Sequence, residues 1–495
     1  MASILFKNPE IRRNIWLDFS LQRIVAMPVV IGLILFIAYW NGKESNNYNP
    51  ETLSYEIVNR GFDQLFLVAI ALFVAIVIAW GSKNASESIL DEYNNRTWDW
   101  QRSHNLSPWE MTIGKLFGST LYNWYGGIIC LLAMVFSWPF LTGNQTELTF
   151  KLLTLVITAI GCHAVSMILA LLAIRKSDGR GRVKNGLYIL VVMLGISSVV
   201  SPYFYGLQNS FLESPGPVAT LSWYGLEISL NLYQFLSISI ISIWAVFGLF
   251  RNFRTEYQYL NGSFAWLGFL VYIIVNQLST RFDFSPLGEK FQFSLYTRIL
   301  ISCLYLVYFM GILSYFVILI EPKNFIVWKK FIEGVKQRNW KQVNHHAPLW
   351  LITYLVFWVV VLATMAFWNV SQLAEIRHIS MLAQALKDFG LSSFYVPLLF
   401  LALPLFMARD FSILLYLHAA PRHKRALGAT ILYLAILYVL FPILLLTVDA
   451  KNLIFLFLPF GEYAEYSWLS ALVQAGLYLY FLSSKFKKRL EAESE

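Results

Sequence analysis

Ionisable side chains are scarce in the long apolar stretches of this sequence, which limits the chemistry that could occur there. His163 lies inside one such stretch, and Arg298 and Arg409 lie at the ends of two others. Ion-coupled carriers need acidic, basic or histidine side chains within the bilayer to hold an ion or a proton. The scarcity argues against a secondary transporter. We interpret His163 as a hydrogen-bonded packing residue rather than a proton relay.

Three groups of polar residues between the apolar stretches could support catalysis. They are His345-His346, His418 with His423, and Glu375 with Arg377 and His378. The two histidine groups lack partners at metal-ligand spacing and lie in basic loops, which favours contact with the membrane surface. The third group could act as an acid–base cluster, but a solvated loop is the simpler interpretation. Glu321-Pro322 and Arg409-Asp410 are interpreted as pairs at helix termini. We expect no catalytic, metal-binding or cofactor-binding residue in the chain.

Residues 83–115 form a long polar segment between two apolar stretches. Ser107-Pro108-Trp109-Glu110 predicts a helix start, because Ser107 can cap the helix and Glu110 can reach back to the amide of the cap residue. The helix should begin at residue 108 and continue directly into the next apolar stretch. Gly114-Lys115 lacks the other residues of a Walker A motif, so any ATP must be bound by another chain.

A second, amphipathic helix is predicted upstream of the cap. Ile89, Tyr93, Thr97 and Trp100 share one face at helical spacing, with Glu87 and Asp91 on the opposite side. Two short helices folded between membrane spans, with three tryptophans among them, are typical of a docking device. The alternative is an ordinary solvated loop with tryptophans at the membrane interface.

The composition predicts an all-α polytopic membrane protein. The chain is 57% hydrophobic and 14% charged, with a mean hydropathy of +0.56, whereas soluble domains carry about a quarter charged residues. Residues 8–23 predict a helix lying on the membrane surface. Twelve spans are predicted near residues 24–40, 62–82, 116–139, 150–174, 187–206, 229–250, 264–280, 296–320, 349–369, 392–408, 427–448 and 467–484.

The distribution of lysine and arginine orients these spans. With the N-terminus inside, the inner segments hold 29 of the 38 basic residues and the outer segments hold nine. This alternation predicts twelve spans with both termini in the cytoplasm. Because topology accounts for the net charge of +9, no nucleic-acid partner is needed to explain it.

Twelve spans divide into two halves of six, predicted over residues 1–250 and 251–495, with residues 251–262 as the hinge. After its second span each half has a long polar segment, 83–113 and 321–348, that ends in a proline before the next span. A rival pairing matches Arg96 and Pro108 with Arg409 and Pro421, which are also twelve residues apart. We disfavour it because it leaves two spans unmatched.

With this topology, the chain resembles the permease subunits of type-2 ABC exporters. That family has a surface helix before the first span and a cytoplasmic coupling helix between spans two and three. The pattern is an acidic residue near the end of span two, a basic-Thr pair, then Pro and Gly-Lys; here it is matched over about residues 1–250. The resemblance, together with the position of the polar segment, assigns a set of residues to ATPase docking. They are Glu87, Glu92, Arg96, Thr97, Trp98, Asp99, Trp100, Arg102, Ser107, Pro108, Trp109 and Glu110.

The resemblance implies a bacterial cytoplasmic (inner) membrane protein with two ABC ATPase subunits as partners. Those subunits would bind ATP and Mg²⁺, and this chain would supply the pathway; a homodimer of twelve-span chains is also open. The broken outer loops 211–225 and 454–468 look like short re-entrant helices of the family. The second half lacks the Arg-Thr and Gly-Lys pairs, so docking at 321–348 is a weaker expectation.

An aromatic, largely uncharged interior favours an amphiphilic or apolar cargo over a small ion. Two other functions remain open. A polytopic membrane enzyme, such as a lipid or glycan transferase, would need a cluster of polar residues at one membrane face. A membrane scaffold would need only well-packed aromatic spans.

Overall fold

The computed structural model describes most of the chain as helices. The described residues are 8–43, 45–49, 54–103, 106–141, 145–177, 182–184, 186, 188–195, 220–281, 295–323, 325–368, 396–419, 426–459 and 463–492. Within these ranges, nine helices are long and apolar enough to cross a membrane. The chain is therefore an integral membrane protein of all-α type.

The chain divides into two compact units, Met1–Asn261 and Gly262–Glu495. The first unit contains α1 (Pro9–Asp18), α2 (Leu21–Lys43), β1 (Ser45–Asn49), β2 (Ser54–Val58), α3 (Gly61–Phe73), a π-helix (Val74–Trp80), α4 (Gly81–Asn94), α5 (Trp98–Ser103), α6 (Pro108–Gly118), α7 (Leu121–Ser137), a 3-10 turn (Trp138–Phe140), α8 (Gln145–Lys176), β3 (Thr220–Trp223), β4 (Leu226–Ser229) and α9 (Leu230–Glu256). Residues 188–195 are also helical.

The core of the first unit lies where α4, α6, α8 and α9 meet. Ile89, Met111, Leu171 and Phe253 are all buried there. By contrast, α2 leaves most of its apolar side chains exposed, as expected for a helix that faces lipid. Two hairpins complete the unit: β1 pairs with β2, and β3 pairs with β4 through a turn in which Gly225 has a φ of 83°.

The second unit contains α10 (Phe264–Ser279), β5 (Thr280–Arg281), α11 (Leu295–Ile320), α12 (Phe325–Lys336), α13 (Trp340–His346), α14 (Leu349–Phe367), α15 (Val396–His418), α16 (Ala426–Ala435), a π-helix (Ile436–Leu440), α17 (Phe441–Thr447), 3-10 helices at Lys451–Leu456 and Ala464–Tyr466, and α18 (Ser467–Ala492). Its main core joins α11, α14 and α15. Met310, Phe357 and Phe411 are buried at its centre.

Nine of the predicted spans coincide with helices that can cross a membrane. The seventh coincides with α10, which has only 16 residues, and the twelfth lies within the 26-residue α18. The fifth extends beyond the described residues. A count of twelve therefore stays a prediction.

Several helix boundaries differ from the sequence-based prediction. The surface helix predicted over 8–23 ends at Asp18, and α2 begins at Leu21. The helix that begins at Pro108 ends at Gly118, and α7 begins at Leu121, so the two are not continuous. The Ser119 and Thr120 hydroxyls donate to the carbonyls of Lys115 and Leu116 at this break. Such local hydrogen bonds compete with helix continuation. In the described part of the outer loop 211–225, residues 220–225 form strand and turn rather than a re-entrant helix.

Candidate docking surface and buried ionic clusters

The helix that leaves the membrane after the second span continues as α4 and ends in a tight turn. Arg96 has a φ of 61°, the left-handed conformation that closes many helices. The amide of Arg96 donates to the carbonyl of Tyr93, and the amide of Thr97 donates to the carbonyl of Glu92. The chain then starts α5 in a new direction. The predicted single amphipathic helix is therefore wrong, because Thr97 and Trp100 lie beyond this turn.

The predicted helix start at Ser107 is confirmed. The Ser107 hydroxyl accepts from the amide of Glu110 at 3.2 Å, and the Ser107 amide donates to the Glu110 carboxylate at 2.9 Å. These Ser107 hydrogen bonds lower the pKa of Glu110 below its usual value of 4.5. The cap fixes where α6 begins and how the polar segment enters it.

A buried ionic cluster joins α1, α4, α5 and α6. The Lys115 ammonium is 1% exposed and contacts the carboxylates of Glu92 and Glu10. Arg13 reaches Glu92 at 2.6 Å, and the Gln101 amide donates to the same carboxylate at 2.6 Å. Glu92 therefore receives donors from three other helices. Buried charges persist only when they are paired, and each charge of this cluster has an opposite charge beside it.

Close packing of α1 against α6 supports this cluster. A Cβ atom at Gly114 would lie 2.7 Å from Asn8 Oδ1, and one at Gly118 would lie 2.7 Å from Asn14 Nδ2. The Asn8 amide also donates to the carbonyl of Glu110 at 2.7 Å. Small residues four apart let two helices approach closely. Gly114 thus brings α1 close, and the neighbouring Lys115 binds its acidic side chain.

Trp98 connects the same segment to the ends of α8 and α9. Its side chain is 4% exposed and lies against Phe253, and its indole N–H reaches Glu256 at 3.4 Å. The other Glu256 oxygen accepts from Arg175 at 2.8 Å. Nearby, Asn94 forms two hydrogen bonds with the backbone of Val183. The segment is therefore anchored to the first unit at several places.

The predicted docking residues separate into an internal set and an outward-facing set. The side chains of Glu92 and Trp98 serve the internal contacts described above. Trp100 and Trp109 are 65% and 50% exposed. Arg96, Thr97, Asp99, Ser107 and Glu110 are also exposed, Glu87 pairs with Lys83 on the surface, and Pro108 is half-buried. The side chain of Arg102 lies outside the described residues. We name the exposed set Arg96, Thr97, Asp99, Trp100, Ser107, Trp109 and Glu110 the outer face.

His163 lies beside the π-helix of the second span. Its Nε2 is 2.7 Å from the carbonyl of Val77, and its ring makes an edge contact with Trp124. Asn123 donates to the neighbouring carbonyl of Ile76. Both carbonyls lie within the π-helix, so side chains from α7 and α8 hold this segment of the second span. The interpretation of His163 as a hydrogen-bonded residue agrees with this geometry.

The interpretation of Arg409 and Asp410 as a pair at a helix terminus is wrong. Both lie in the middle of α15 and are 0% and 1% exposed. Arg409 Nε donates to Asp410 at 2.9 Å, and the Tyr315 and Tyr438 hydroxyls each donate to its other oxygen at 2.6 Å. This arrangement also removes the rival pairing of Arg409 with Arg96, because Arg409 is internal.

This cluster was not predicted, because Arg409 and Asp410 were recognised as a pair but placed at the end of a span. The basic-residue count assigned Arg409 to a cytoplasmic loop, whereas adjacent opposite charges can be buried together. Two tyrosines on neighbouring spans were a usable signal, since buried hydroxyls need partners.

In the second unit, the predicted coupling-like segment 321–348 forms the hairpin of α12 and α13. Glu321 accepts from the amides of Leu349 and Trp350 at 2.9 Å each, which caps α14. Burial raises the pKa of Glu321. Between the two helices Arg338 has a φ of 54°. The interpretation of Glu321 as a helix-terminus residue agrees with these contacts.

Most of the remaining candidates cannot be placed in the fold. Glu375, Arg377, His378 and His423 lie outside the described residues. The His418 ring bonds the carbonyl of Leu414 in its own helix. Among the described residues there is no group of three or more His, Cys, Asp or Glu side chains placed to hold a metal ion.

No family model, curated protein or solved structure matches this chain. The resemblance to type-2 exporter permeases therefore stays a prediction, and the function must be argued from the geometry of the two units.

Proposed function

We propose that this chain is the membrane-spanning permease subunit of an ATP-driven exporter, and that the outer face of α4–α6 docks a separate ATPase subunit. The single observation that carries the proposal is that an exposed aromatic surface stands on a helical segment that is anchored at several of its described residues. Trp100 and Trp109 are 65% and 50% exposed, Trp109 packing edge-to-face on Phe250 of α9, while Lys115, Glu92 and Trp98 fix the same segment from inside.

Rigidity is what such a function requires. A partner that closes on ATP can move the membrane helices only if the segment between them does not deform. Here the displacement of α5 would pass through Trp98 to α9 and through Gln101 to Glu92 on α4. From Glu92 it would pass through Lys115 to α6. A solvated loop with interfacial tryptophans would need none of these contacts.

The second unit offers a second segment for docking. The α12–α13 hairpin presents Trp340, which is 71% exposed, two residues after the left-handed Arg338. The hairpin is also anchored, because Asn344 bonds Ser263 and Phe264 at the start of α10. Two such segments would let one chain receive two ATPase subunits, which would supply the ATP and Mg²⁺ site. Cargo would be amphiphilic or apolar, and the protein would lie in the bacterial inner membrane with both termini inside.

The test is co-purification of the full-length chain in mild detergent with identification of its partners. We expect a soluble ATPase at two copies per chain; one copy would favour a dimer of chains with one docked segment each. Replacing Trp100 and Trp109 together by Ala should lower ATPase recovery at least about tenfold, since exposed tryptophans dominate many interfaces. Trp40→Ala is the matched control, because Trp40 is 61% exposed at the far end of α2. Absence of any ATPase under several extraction conditions would refute the proposal.

The buried Arg409–Asp410 pair favours one second candidate, ion-coupled transport without ATP. Ionisable residues within membrane spans often hold the coupling ion or proton. The two mechanisms differ in their energy source. Transport by reconstituted vesicles that persists without ATP and stops when a protonophore collapses the proton gradient would favour the second candidate.

A further inference from the structure

The buried cluster around Arg409 has one donor that no described residue accepts. Arg409 Nε is taken by Asp410, and Arg409 NH1 donates to the Gln474 side chain at 2.8 Å. The third nitrogen, NH2, is buried and has no hydrogen-bond partner. A buried charged donor without an acceptor is costly, so such a group points to a ligand or a water molecule.

The cluster's negative charge is already satisfied by other groups. Asp410 accepts from Arg409 on one oxygen and from the hydroxyls of Tyr315 and Tyr438 on the other. Gln474 is also committed, because its amide donates to the carbonyl of Leu456 at 2.6 Å. The free edge of the guanidinium is therefore the one position where the described groups still offer a positive donor. It suits an acceptor oxygen with negative charge.

Two departures from regular α-helix lie near this cluster. Pro404 stands inside α15, and its own carbonyl accepts from the Tyr354 hydroxyl at 2.8 Å. Tyr438 lies within the π-helix Ile436–Leu440, which Pro442 follows closely. π-helical segments are frequent at functional sites, and ionisable side chains inside membrane spans mark substrate or ion pathways.

We propose that Arg409 binds the anionic headgroup, a phosphate or carboxylate, of an amphiphilic molecule. The inference rests on the proposed transport function and narrows its cargo from amphiphiles in general to anionic ones. Tyr438 and Phe406 hold the guanidinium in place through their rings, at 4.9 and 4.8 Å from its carbon. The headgroup oxygen accepts from NH2, and the apolar part of the molecule lies among the apolar side chains of the spans.

The test measures equilibrium binding of radiolabelled dodecyl phosphate to the full-length chain in phosphatidylcholine nanodiscs. We expect saturable binding that excess unlabelled dodecyl phosphate displaces and dodecyltrimethylammonium does not. Arg409→Lys should weaken binding at least about tenfold, because an ammonium paired with Asp410 lacks the second, outward donor. Gln474→Glu keeps the size of the side chain but pairs NH1 with a charge, and should also weaken binding at least about tenfold.

Two controls keep the result interpretable. Tyr433→Phe removes a hydroxyl from a half-exposed tyrosine of α16 that does not belong to the cluster, so its affinity should stay within about twofold of the unmodified chain. Arg175→Lys alters an arginine of the first unit whose partners are Glu256 and Asn252, and should leave affinity unchanged. If Arg409→Lys fails to fold, Gln474→Glu still reports on the site.

Three outcomes would overturn the proposal. Saturable binding could be absent, which would leave the buried donor to water. Binding could be equal in the unmodified chain and in both Arg409→Lys and Gln474→Glu, which would place the ligand elsewhere. Inorganic phosphate could compete as well as dodecyl phosphate, which would assign the site to a free anion. The assay contains no ATPase, so its failure is distinguishable from failure to recover the proposed partner.

Discussion

The two units use the same backbone turn in their polar segments but surround it differently. In the first, Arg96 takes the left-handed conformation and Thr97-Trp98 follow; in the second, Arg338 does so and Asn339-Trp340 follow. The hydrogen bonds also correspond, since the Asn339 amide donates to the carbonyl of Gly334 as Thr97 does to Glu92. Both turns are followed by a short helix, a proline and a membrane span.

The side chains at these turns differ in burial and charge. Trp98 is 4% exposed and Trp340 is 71% exposed. Residues 81–103 carry three basic and four acidic residues, whereas residues 325–346 carry five basic and one acidic. One turn is therefore fixed by an internal ionic cluster, and the other presents a basic, aromatic tip. The repeated turn determines the chain direction, and the surroundings determine what each segment can contact. If both dock ATPases, the partner surfaces must differ in charge.

The largest expected effect comes from removing the acid that anchors the first turn. Glu92→Ala would leave Lys115 buried beside only Glu10, and breaking a buried ion pair costs about 3–5 kcal/mol. The matched variant is Glu333→Ala in α12, where the side chain is only half-buried and the cost should be below about 1 kcal/mol. Chemical unfolding in mixed micelles measures both. Equal losses would show that the ionic cluster is not what distinguishes the turns.

Replacing Trp98 should mainly lower the stability of the chain, whereas replacing Trp340 should mainly lower partner binding. Trp98→Ala removes a buried aromatic ring against Phe253 and should lower the free energy of unfolding by about 3 kcal/mol. Trp340→Ala should change it by less than about 0.5 kcal/mol, because the ring is exposed. Recovery of the co-purified ATPase should fall with Trp340→Ala. A stable Trp98→Ala variant would contradict the internal role of Trp98.

Glycine substitutions test the left-handed turn that the two units share. Arg96→Gly and Arg338→Gly should each stabilise the chain by about 1 kcal/mol, because glycine adopts a positive φ without the clash of a Cβ atom. Lys329→Gly, at an exposed position in the interior of α12, is the control and should destabilise by about 1 kcal/mol. Thermal unfolding of the three variants gives the comparison. Destabilisation by both arginine variants would mean that their side chains outweigh the strain.

Features governed by neighbouring residues could be predicted from the sequence. The Ser107–Glu110 cap and most of the apolar spans follow from local hydrogen bonding and from hydropathy. The break between α4 and α5 could not be predicted, because Arg96 carries no intrinsic preference for a positive φ. The Arg-Thr-Trp and Arg-Asn-Trp triplets are visible in the sequence, but a match of three residues gains meaning only once both turns are seen.

Long-range contacts explain the remaining differences. The family resemblance and the position of the polar segment placed Glu92 and Trp98 among the docking residues, and the distant partners Lys115, Phe253 and Glu256 turn them inward. The same applies to the pair at residues 409 and 410. A rule that counts single charges assigns them to a loop, whereas hydroxyl donors from two other helices make their burial favourable.

The smallest expected effect is a difference in pH response between two glutamates that cap helices, Glu110 at α6 and Glu321 at α14. The lowered pKa of Glu110 means that its stabilisation is present above 4.5 and is lost as pH falls further. The raised pKa of Glu321 has the opposite effect on stability: the folded chain binds this proton more readily, so the contribution of Glu321 grows as pH falls toward 4.5.

The experiment compares the melting temperatures of the unmodified chain, Glu110→Gln and Glu321→Gln between pH 3.5 and 7. This interval brackets the usual carboxylate pKa of about 4. The advantage of the unmodified chain over Glu110→Gln should shrink as pH falls, and its advantage over Glu321→Gln should increase. Parallel curves for the two variants would contradict the assignment of one cap to an exposed carboxylate and the other to a buried one.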